Sequence, residues 1–331
     1  MEPTQDSNVN FESRIDFSGL QASAYALRNE LSKVIIGQQN IVQMMIVALL
    51  SDGHVLLEGV PGVAKTLMAN AFAKAIDTDF GRIQFTPDLM PSDVIGTSVY
   101  HPEKSNFEFR KGPVFSNIVL IDEINRAPAK TQSALFEVME ERQITYDGVT
   151  HRMTEPFMVI ATQNPIEQEG TYRLPEAQLD RFLFKLIVDY PSLEEETNIL
   201  NMHHQRTSFI KPASMVNAIV NASDLMSYKE KMHAVHVEPK LIEYIVNIIA
   251  QTRTAKYIYL GASPRASVAV LNASKSLAAI SGRDFVTPDD VQAIVPHVLR
   301  HRIILTPERE MEGASNDDVI AQLIQKIDVP R

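Results

Sequence analysis

Cysteine is absent from this chain of 331 residues. Without cysteine there can be no disulfide framework and no zinc or iron–sulfur site held by thiolates. Long hydrophobic runs are missing too, because the longest apolar stretch, IVQMMIVALL at 41–50, is too short to span a bilayer. The first ten residues, MEPTQDSNVN, are acidic and polar, unlike a secretory signal. These absences predict a cytoplasmic protein with no membrane insertion.

Positive charge is in deficit. Lys and Arg number 31 against 41 Asp and Glu, which gives a formal net charge of −10. This balance argues against a protein devoted to nucleic acid, because duplex binding depends on the neutralisation of phosphates by Lys and Arg. The net charge does not exclude a local basic groove. The 45% hydrophobic and 22% charged residues are ordinary for a globular protein, and the length favours two domains. The first dozen residues are expected to be disordered.

The first two-thirds of the chain alternates short β-type runs with helical stretches, the pattern of a parallel sheet covered by helices. Asp147-Gly148 supplies the two positive-φ positions of a tight turn, so QITYDGVTH at 143–151 is predicted to be a hairpin. Strands are predicted at 54–58, 80–86, 117–122, 157–162 and 182–188, and helices at 66–76 and 128–142.

After Tyr190-Pro191 the β pattern fades and helical spacing takes over. Four helices are predicted to start in this region. One starts with a capping box formed by Ser192 and Glu195, one at Pro239, one at Ser263-Pro264 with serine as the N-cap, and one at Thr287-Pro288. The sequence therefore predicts an α/β domain at 1–190 and an all-helical domain at 191–331.

GVPGVAKT at 59–66 is a glycine-rich loop between a predicted strand and a predicted helix. Backbone N–H groups and a helix N-terminus would face an anion there, within reach of Lys65 and Thr66. A phosphate-binding loop has glycine before the lysine, and Ala64 stands there instead. We expect Ala64 to be right-handed, so that its methyl group is tolerated. The alternative interpretation is an ordinary Gly/Pro turn.

Polar side chains end two other predicted strands. Asp122 and Glu123 follow an apolar run, at the edge where ligands bind in open α/β sheets. Asp122 suits Mg²⁺ with its waters, and Glu123 suits polarising an attacking water. Asn164 follows FMVIAT and could position that water or a γ-phosphate. The alternatives are a solvated strand end for the two acids and a turn at Asn164-Pro165.

Several motifs occur in the order of one family. GVPGVAKT, LIDEINRA (120–127), ATQNP (161–165), LPEAQLDRF (174–182) and GASPRA (261–266) together resemble the MoxR group of AAA+ ATPases. The resemblance runs from about residue 17 to the end. It implies a P-loop NTPase core with a parallel five-stranded sheet flanked by helices, followed by a C-terminal all-α lid domain. Alanine is common before the phosphate-loop lysine in this group, so Ala64 fits it.

The resemblance also implies roles for single residues. Asp122 is similar to the Walker B metal residue, Glu123 to the catalytic glutamate and Asn164 to sensor 1. Arg181 resembles the arginine finger that serves a neighbouring subunit, and Arg265 resembles sensor 2. The implied nucleotide contacts are Gly37, Gln38, Gly59, Val60, Pro61, Gly62, Val63, Ala64, Lys65, Thr66 and Leu67, with Thr66 and Asp122 at Mg²⁺.

The two arginines have other interpretations. Arg181 could be an ion-pair partner of Asp180 or Glu176, and Arg265 could be a surface charge on a helix capped by Ser263. Arg126 could also reach a subunit interface, and the sequence does not decide whether it has that role. His297 and His301 are spaced i, i+4, but no glutamate follows His297, so a zinc site is not predicted there.

By the resemblance, 86–115 is the helix-2 insertion and 143–151 is the hairpin before sensor 1, elements that face the ring pore or the clients. The alternative for 86–115 is a long loop packed on the core. The resemblance implies an ATP-hydrolysing chaperone, expected as a hexameric ring, that acts on a separate von Willebrand A-domain protein. The alternatives are an MCM-like helicase, a magnesium-chelatase ATPase subunit and a non-hydrolysing switch. The acidic charge weighs against the helicase.

Overall fold

The computed structural model describes residues 15–103, 105–165, 171–172, 174–204 and 212–330. The helices are α1 Ser18–Ser32, α2 Gln39–Leu50, α3 Lys65–Ala75, α4 Pro91–Ile95, α5 Ala129–Glu141, α6 Glu176–Leu179, α7 Leu193–His204, α8 Ala222–Met232, α9 Pro239–Thr254, α10 Pro264–Ile280, α11 Pro288–Leu299, α12 Pro307–Met311 and α13 Asn316–Gln325. The strands are β1 His54–Gly59, β2 Phe80–Gln84, β3 Gly96–His101, β4 Asn106–Lys111, β5 Ile118–Asp122, β6 Gln143–Tyr146, β7 Val149–Arg152, β8 Met158–Gln163, β9 Phe182–Val188, β10 Ile258–Leu260 and β11 Ile304–Leu305. The expected disorder of the first dozen residues falls outside the described ranges.

The five predicted strands form one sheet in the order β2-β5-β8-β1-β9, and every neighbouring pair is parallel. All five residues of β5 are buried, because this strand lies inside the sheet with helices over both faces. The predicted α/β fold with a parallel five-stranded sheet is confirmed. Because the strands are parallel, the carboxyl ends of β1, β5 and β8 meet at one edge of the sheet.

Alternate residues of the strands pack into two hydrophobic clusters, one on each face of the sheet. Val55 and Leu57 of β1 belong to the cluster that contains α1 to α3 and the C-terminal helices. Leu56, between them, belongs to the cluster formed with α5. The C-terminal helices therefore share a core with one face of the sheet, as the period of two along a strand requires.

The C-terminal region is helical, as predicted, with one small addition. β10 and β11 pair as a two-stranded antiparallel ribbon within it. The capping box at Ser192 and Glu195 forms through bonds in both directions, at 3.3 and 2.8 Å. Ser263 occupies the predicted N-cap position, with Pro264 at the first helical position. Its hydroxyl donates to the Asp180 carboxylate at 3.3 Å and makes no cap bond.

The segment 86–115 forms structure of its own. It contains α4 and the antiparallel β3–β4 hairpin. Lys104, between the two strands in sequence, is outside the described residues. The predicted hairpin at 143–151 is β6–β7, and both Asp147 and Gly148 have positive φ. Ser98 donates to the Asp147 carboxylate at 2.8 Å, so the two hairpins lie side by side. In the described part of the chain, no helix has the length and apolar character needed to cross a bilayer.

Candidate functional site

The loop 59–66 joins the carboxyl end of β1 to the first turn of α3, where a phosphate-binding loop lies in such sheets. Lys65 is the first residue of α3. Its ammonium group donates to the carbonyl oxygen of Gly59, and to that of Gln163 at 3.3 Å. The side chain therefore spans the ends of β1 and β8, directly under the loop. The position fits a lysine that neutralises phosphate charge.

Thr66 and Asp122 meet at the same edge. The Thr66 hydroxyl lies 3.2 Å from Asp122 Oδ1 and 3.4 Å from Oδ2, and Asp122 is buried. The Thr162 hydroxyl of β8 donates to Oδ1 at 3.3 Å, and Arg82 Nε of β2 donates to Oδ2 at 2.8 Å. A hydroxyl and a carboxylate beside a phosphate-binding loop are an oxygen donor set that suits Mg²⁺, which keeps several waters and phosphate ligands. The residues present therefore fit this ion.

Glu123 follows β5 with a left-handed backbone, at φ 57° and ψ 54°. Its N–H donates to the Thr162 hydroxyl at 3.0 Å, which holds the left-handed turn in place. Its carboxylate Oε2 accepts from Gln84 Nε2 at 2.9 Å and lies 3.2 Å from Arg126 Nε. Strained backbone of this kind occurs at functional sites, since the surrounding structure must maintain it. Glu123 lies at the same carboxyl edge of the sheet as Asp122, directly after β5.

Asn164 is buried and comes directly after β8, next to Gln163. Because β8 lies between β5 and β1, this position is between the acidic pair and the phosphate loop. Arg126, which the sequence left undecided, lies at this same edge through its ion pair with Glu123.

An apolar cleft of about 210 Å³ opens beside the phosphate loop. Its lining includes Ile35 and Gln38, Leu67 of α3, and Ile199 and Met202 of α7. A mostly apolar cleft next to an anion site suits a nucleobase. The side chains from α7 were not identified from the sequence.

Gly37 and Gln38 shape the entrance to this cleft. Gly37 has φ +81°, and a Cβ there would collide with the carboxylate of Glu195. Glycine suits this position because it adopts a positive φ without strain and has no Cβ. Gln38 donates to the carbonyl oxygen of Asp189 at 3.3 Å, so the segment before α2 is fixed to the end of β9.

Arg181 and Arg265 lie at the opposite end of the sheet. Arg181 precedes β9, and its neighbour Phe182 pairs with His54, the first residue of β1. Arg181 Nη1 donates to the Phe136 carbonyl oxygen at 2.5 Å and lies 3.6 Å from Glu140, to which Arg265 donates at 2.5 Å. The two ends of β1 are about 17 Å apart at ~3.3 Å per residue. Arg181 and Arg265 therefore lie about one strand length from the phosphate loop of their own chain.

The sequence profile of the ATPase family associated with various cellular activities (AAA) matches residues 54–184, and that of the AAA lid domain matches 250–323. Chaperone MoxR1 of Mycobacterium tuberculosis is 46% identical over 325 residues, which cover 95% of this chain and 85% of that protein. This chain belongs to the MoxR family of AAA+ ATPases. The resemblance found from its motifs is confirmed.

Other relatives agree in length. The uncharacterized protein YeaC of Bacillus subtilis is 46% identical over 300 residues, covering 91% of this chain and 92% of its own. Protein MoxR of Paracoccus denitrificans is 30% identical over 302 residues, covering 85% and 88%. The crystal structure of a candidate ATPase from Cytophaga hutchinsonii superposes with a TM-score of 0.87 at 40% identity, covering 95% of this chain and 97% of that one.

Ala64 of this MoxR-family ATPase has a left-handed backbone, at φ 60° and ψ 22°. The expected right-handed conformation is therefore wrong, because the chain must reverse sharply between β1 and α3. A left-handed alanine is disfavoured by roughly 1–2 kcal/mol relative to glycine.

We expect Ala64→Gly to leave ATP affinity within about threefold, because the reversal between β1 and α3 demands the left-handed backbone with or without ATP, so that its strain cancels from the binding free energy. The free energy of unfolding should rise by no more than about 1 kcal/mol, since glycine also gains entropy in the unfolded chain. Titration of ATP and denaturant unfolding would measure the two quantities. A tenfold gain in ATP affinity would contradict this account and show an impaired loop.

Three polar residues near the two ends of the sheet were missed from the sequence. Arg82 and Gln84 alternate with buried residues along β2, and Gln84 pairs with Asp122 in the parallel register. That alternation on a strand beside the acidic pair was a usable signal. Glu140 gave none, since its partner Arg265 is 125 residues away.

The histidines of α11 and its end serve packing. His297 packs against the Phe184 ring, and burial lowers its pKa to about 4. His301 contacts the Phe182 carbonyl oxygen through Nε2 at 2.9 Å, and burial puts its pKa well below the usual value. Within the residues that the structure describes, no group of three or more His, Asp and Glu could hold a metal ion.

Proposed function

We propose that this MoxR-family protein hydrolyses ATP to ADP and phosphate at the carboxyl edge of its sheet. The observation that supports this most strongly is that four side chains lie at this edge: Lys65 and Thr66 at the start of α3, and Asp122 and Glu123 at the end of β5. Phosphoryl transfer demands little covalent work from a protein, so positioning and charge neutralisation by such groups suffice. The buried Asp122 and the strained turn at Glu123 support a working site over a decayed one.

Each residue has a proposed task. Lys65 and the loop 59–64 bind the phosphates, and the cleft lined by Ile35 and Met202 holds the base. Glu123 polarises the attacking water and Asn164 orients it. Mg²⁺, held by Thr66 and Asp122, would neutralise charge on the β- and γ-phosphates.

Arg181 and Arg265 belong in this proposal to the site of a neighbouring subunit. They are about one strand length from the phosphate loop of their own chain, which is farther than an arginine side chain extends. A chain that binds ATP at one end and presents arginines at the other makes head-to-tail contacts. Such contacts close into rings when the rotation allows, and we propose a hexamer.

The proposed client is a separate von Willebrand A-domain protein, remodelled by a cytoplasmic chaperone of two domains at 1–190 and 191–331. The β3–β4 hairpin offers a contact surface, because Tyr100 and Phe107 are 49% and 70% exposed. Their rings lie 5.2 Å apart on neighbouring strands. Exposed aromatic side chains on a hairpin are typical of surfaces that bind other proteins.

A capture experiment tests the client. The tagged Glu123→Gln variant with ATP should retain a von Willebrand A-domain protein from the source cells, and ADP should release it. Adding Tyr100→Ser and Phe107→Ser to that variant should abolish retention without changing nucleotide affinity. ATPase activity stimulated by single-stranded DNA, with no such protein retained, would contradict the chaperone and favour the helicase.

A further inference from the structure

Glu140 joins the two arginines at the amino end of the sheet. It lies in the last turn of α5, with Oε1 2.5 Å from Arg265 Nη2 and Oε2 3.6 Å from Arg181 Nη1. The three side chains come from α5, the start of β9 and the start of α10. We infer that Glu140 is a positioning residue, which holds both guanidinium groups in one cluster that faces the phosphates of the neighbouring subunit. This inference rests on the proposed function.

A carboxylate is needed at this point for an electrostatic reason. Two guanidinium groups that lie close together repel each other. Neither can lose its proton, because arginine stays charged in proteins. A second acid, Asp180, has its Oδ2 4.0 Å from Arg265 Nη1. Arg302 Nε donates to Asp180 Oδ1 at 2.6 Å, so this buried arginine neutralises most of the charge of Asp180. Glu140 is therefore the anion that both arginines share.

The backbone around the cluster is fixed by other contacts. The buried Arg302 donates to the carbonyl oxygens of Asp180 and Phe182 at 2.9 and 2.7 Å, which hold the chain on both sides of Arg181. The Ser263 hydroxyl donates to Asp180 and ties the start of α10 to the same point. These contacts do not fix the direction of the two guanidinium groups. The hydrogen bond to Glu140 sets that of Arg265, and the Phe136 carbonyl oxygen together with the Glu140 ion pair sets that of Arg181.

Arg181 and Arg265 retain N–H donors that are available to a phosphate. A guanidinium carries five N–H donors, and in the described part of the chain the contacts given above use only one or two on each arginine. Both side chains are also partly exposed, Arg181 at 29% and Arg265 at 48%. A planar, pre-oriented guanidinium loses little entropy when it binds an oxyanion. Pre-orientation by Glu140 thus raises the rate of the neighbour's reaction.

The test is Glu140→Gln, with Glu141→Gln as the matched control, since it removes the same charge one residue along α5. We expect Glu140→Gln to lower kcat about tenfold with KM for ATP unchanged, because the residue is remote from the nucleotide of its own chain. Glu140→Asp, which keeps the charge, should restore part of the rate. The control should keep the wild-type kcat.

A double-mutant cycle separates positioning from a structural role. In a background that carries Arg181→Ala and Arg265→Ala, Glu140→Gln should have no further effect on kcat, because Glu140 acts through those residues. An additive effect in that background would overturn the inference, as would an unchanged or increased kcat of Glu140→Gln alone. If Arg181→Ala and Arg265→Ala themselves left the rate intact, the proposed function would have failed at its shared site instead.

Discussion

Arg181→Ala is expected to lower the ATPase rate per subunit by about 10³-fold, while ATP binding by the same subunit is retained. An arginine supplied by a neighbour contributes roughly 10³–10⁵ to phosphoryl-transfer rates, because it neutralises charge that develops in the transition state. ATP binding should be retained because Arg181 lies at the amino end of β9, away from the phosphate loop of its own chain. Steady-state ATPase assays and fluorescent-nucleotide titration would measure the two quantities.

The conservative variant sharpens this prediction. Arg181→Lys keeps the charge but loses the planar fork of donors, so its rate should fall between those of the wild type and the alanine variant. Thermal unfolding serves as the control, because Arg181 also donates to the Phe136 carbonyl oxygen near the end of α5. An unchanged rate in Arg181→Ala at all protein concentrations would contradict the proposed role.

Glu123→Gln is expected to bind ATP with near wild-type affinity and to turn it over about 10²–10⁴-fold more slowly. General-base assistance contributes effects of that size, and glutamine keeps the shape of the side chain while losing its basicity. Glutamine can still occupy the place where Oε2 now accepts from Gln84. Lys65→Ala is the comparison, since it should lose ATP affinity by removing the charge at the loop.

Rapid mixing with radiolabelled ATP would separate chemistry from product release in Glu123→Gln. The variant should show no burst of ADP, because its slow chemical step limits turnover, and it should still form the same assembly as the wild type. Normal hydrolysis by Glu123→Gln, together with normal ATP affinity of Lys65→Ala, would contradict the assignment of the whole carboxyl edge.

The sequence predicted much of the sheet, because the pattern there is local. Buried strands such as 182–188 are short apolar runs, and the polar residues that end them, Asp122 and Glu123, mark the functional edge without any long-range information. The turn at Asp147 and Gly148 was predictable for the same reason, because the tight turn needs positive φ values at those two residues and both residue types adopt them.

The failures share a different cause. The left-handed backbone of Ala64 follows from the geometry between β1 and α3, which residue preference does not encode. The bonds from the Ser263 hydroxyl to Asp180 and from Arg265 to Glu140 were not predicted, because they join residues at distances along the chain that helical or strand periods do not cover. The location of the two arginines at the far end of the sheet also needed the strand register.

The central claim is that each ATP site is built from two subunits, and a mixing experiment tests it most directly. Lys65→Ala lacks the phosphate-binding charge and Arg181→Ala lacks the donated arginine, so each variant alone should be inactive. In mixed rings, a site is complete where an Arg181→Ala subunit binds ATP beside a Lys65→Ala neighbour.

At a 1:1 ratio with random assembly, about one quarter of the sites would be complete in a head-to-tail ring. The account therefore predicts that mixing the two inactive variants restores about one quarter of the wild-type ATPase rate. Mixtures that stay as inactive as the separate variants at every ratio, although they assemble together, would contradict it.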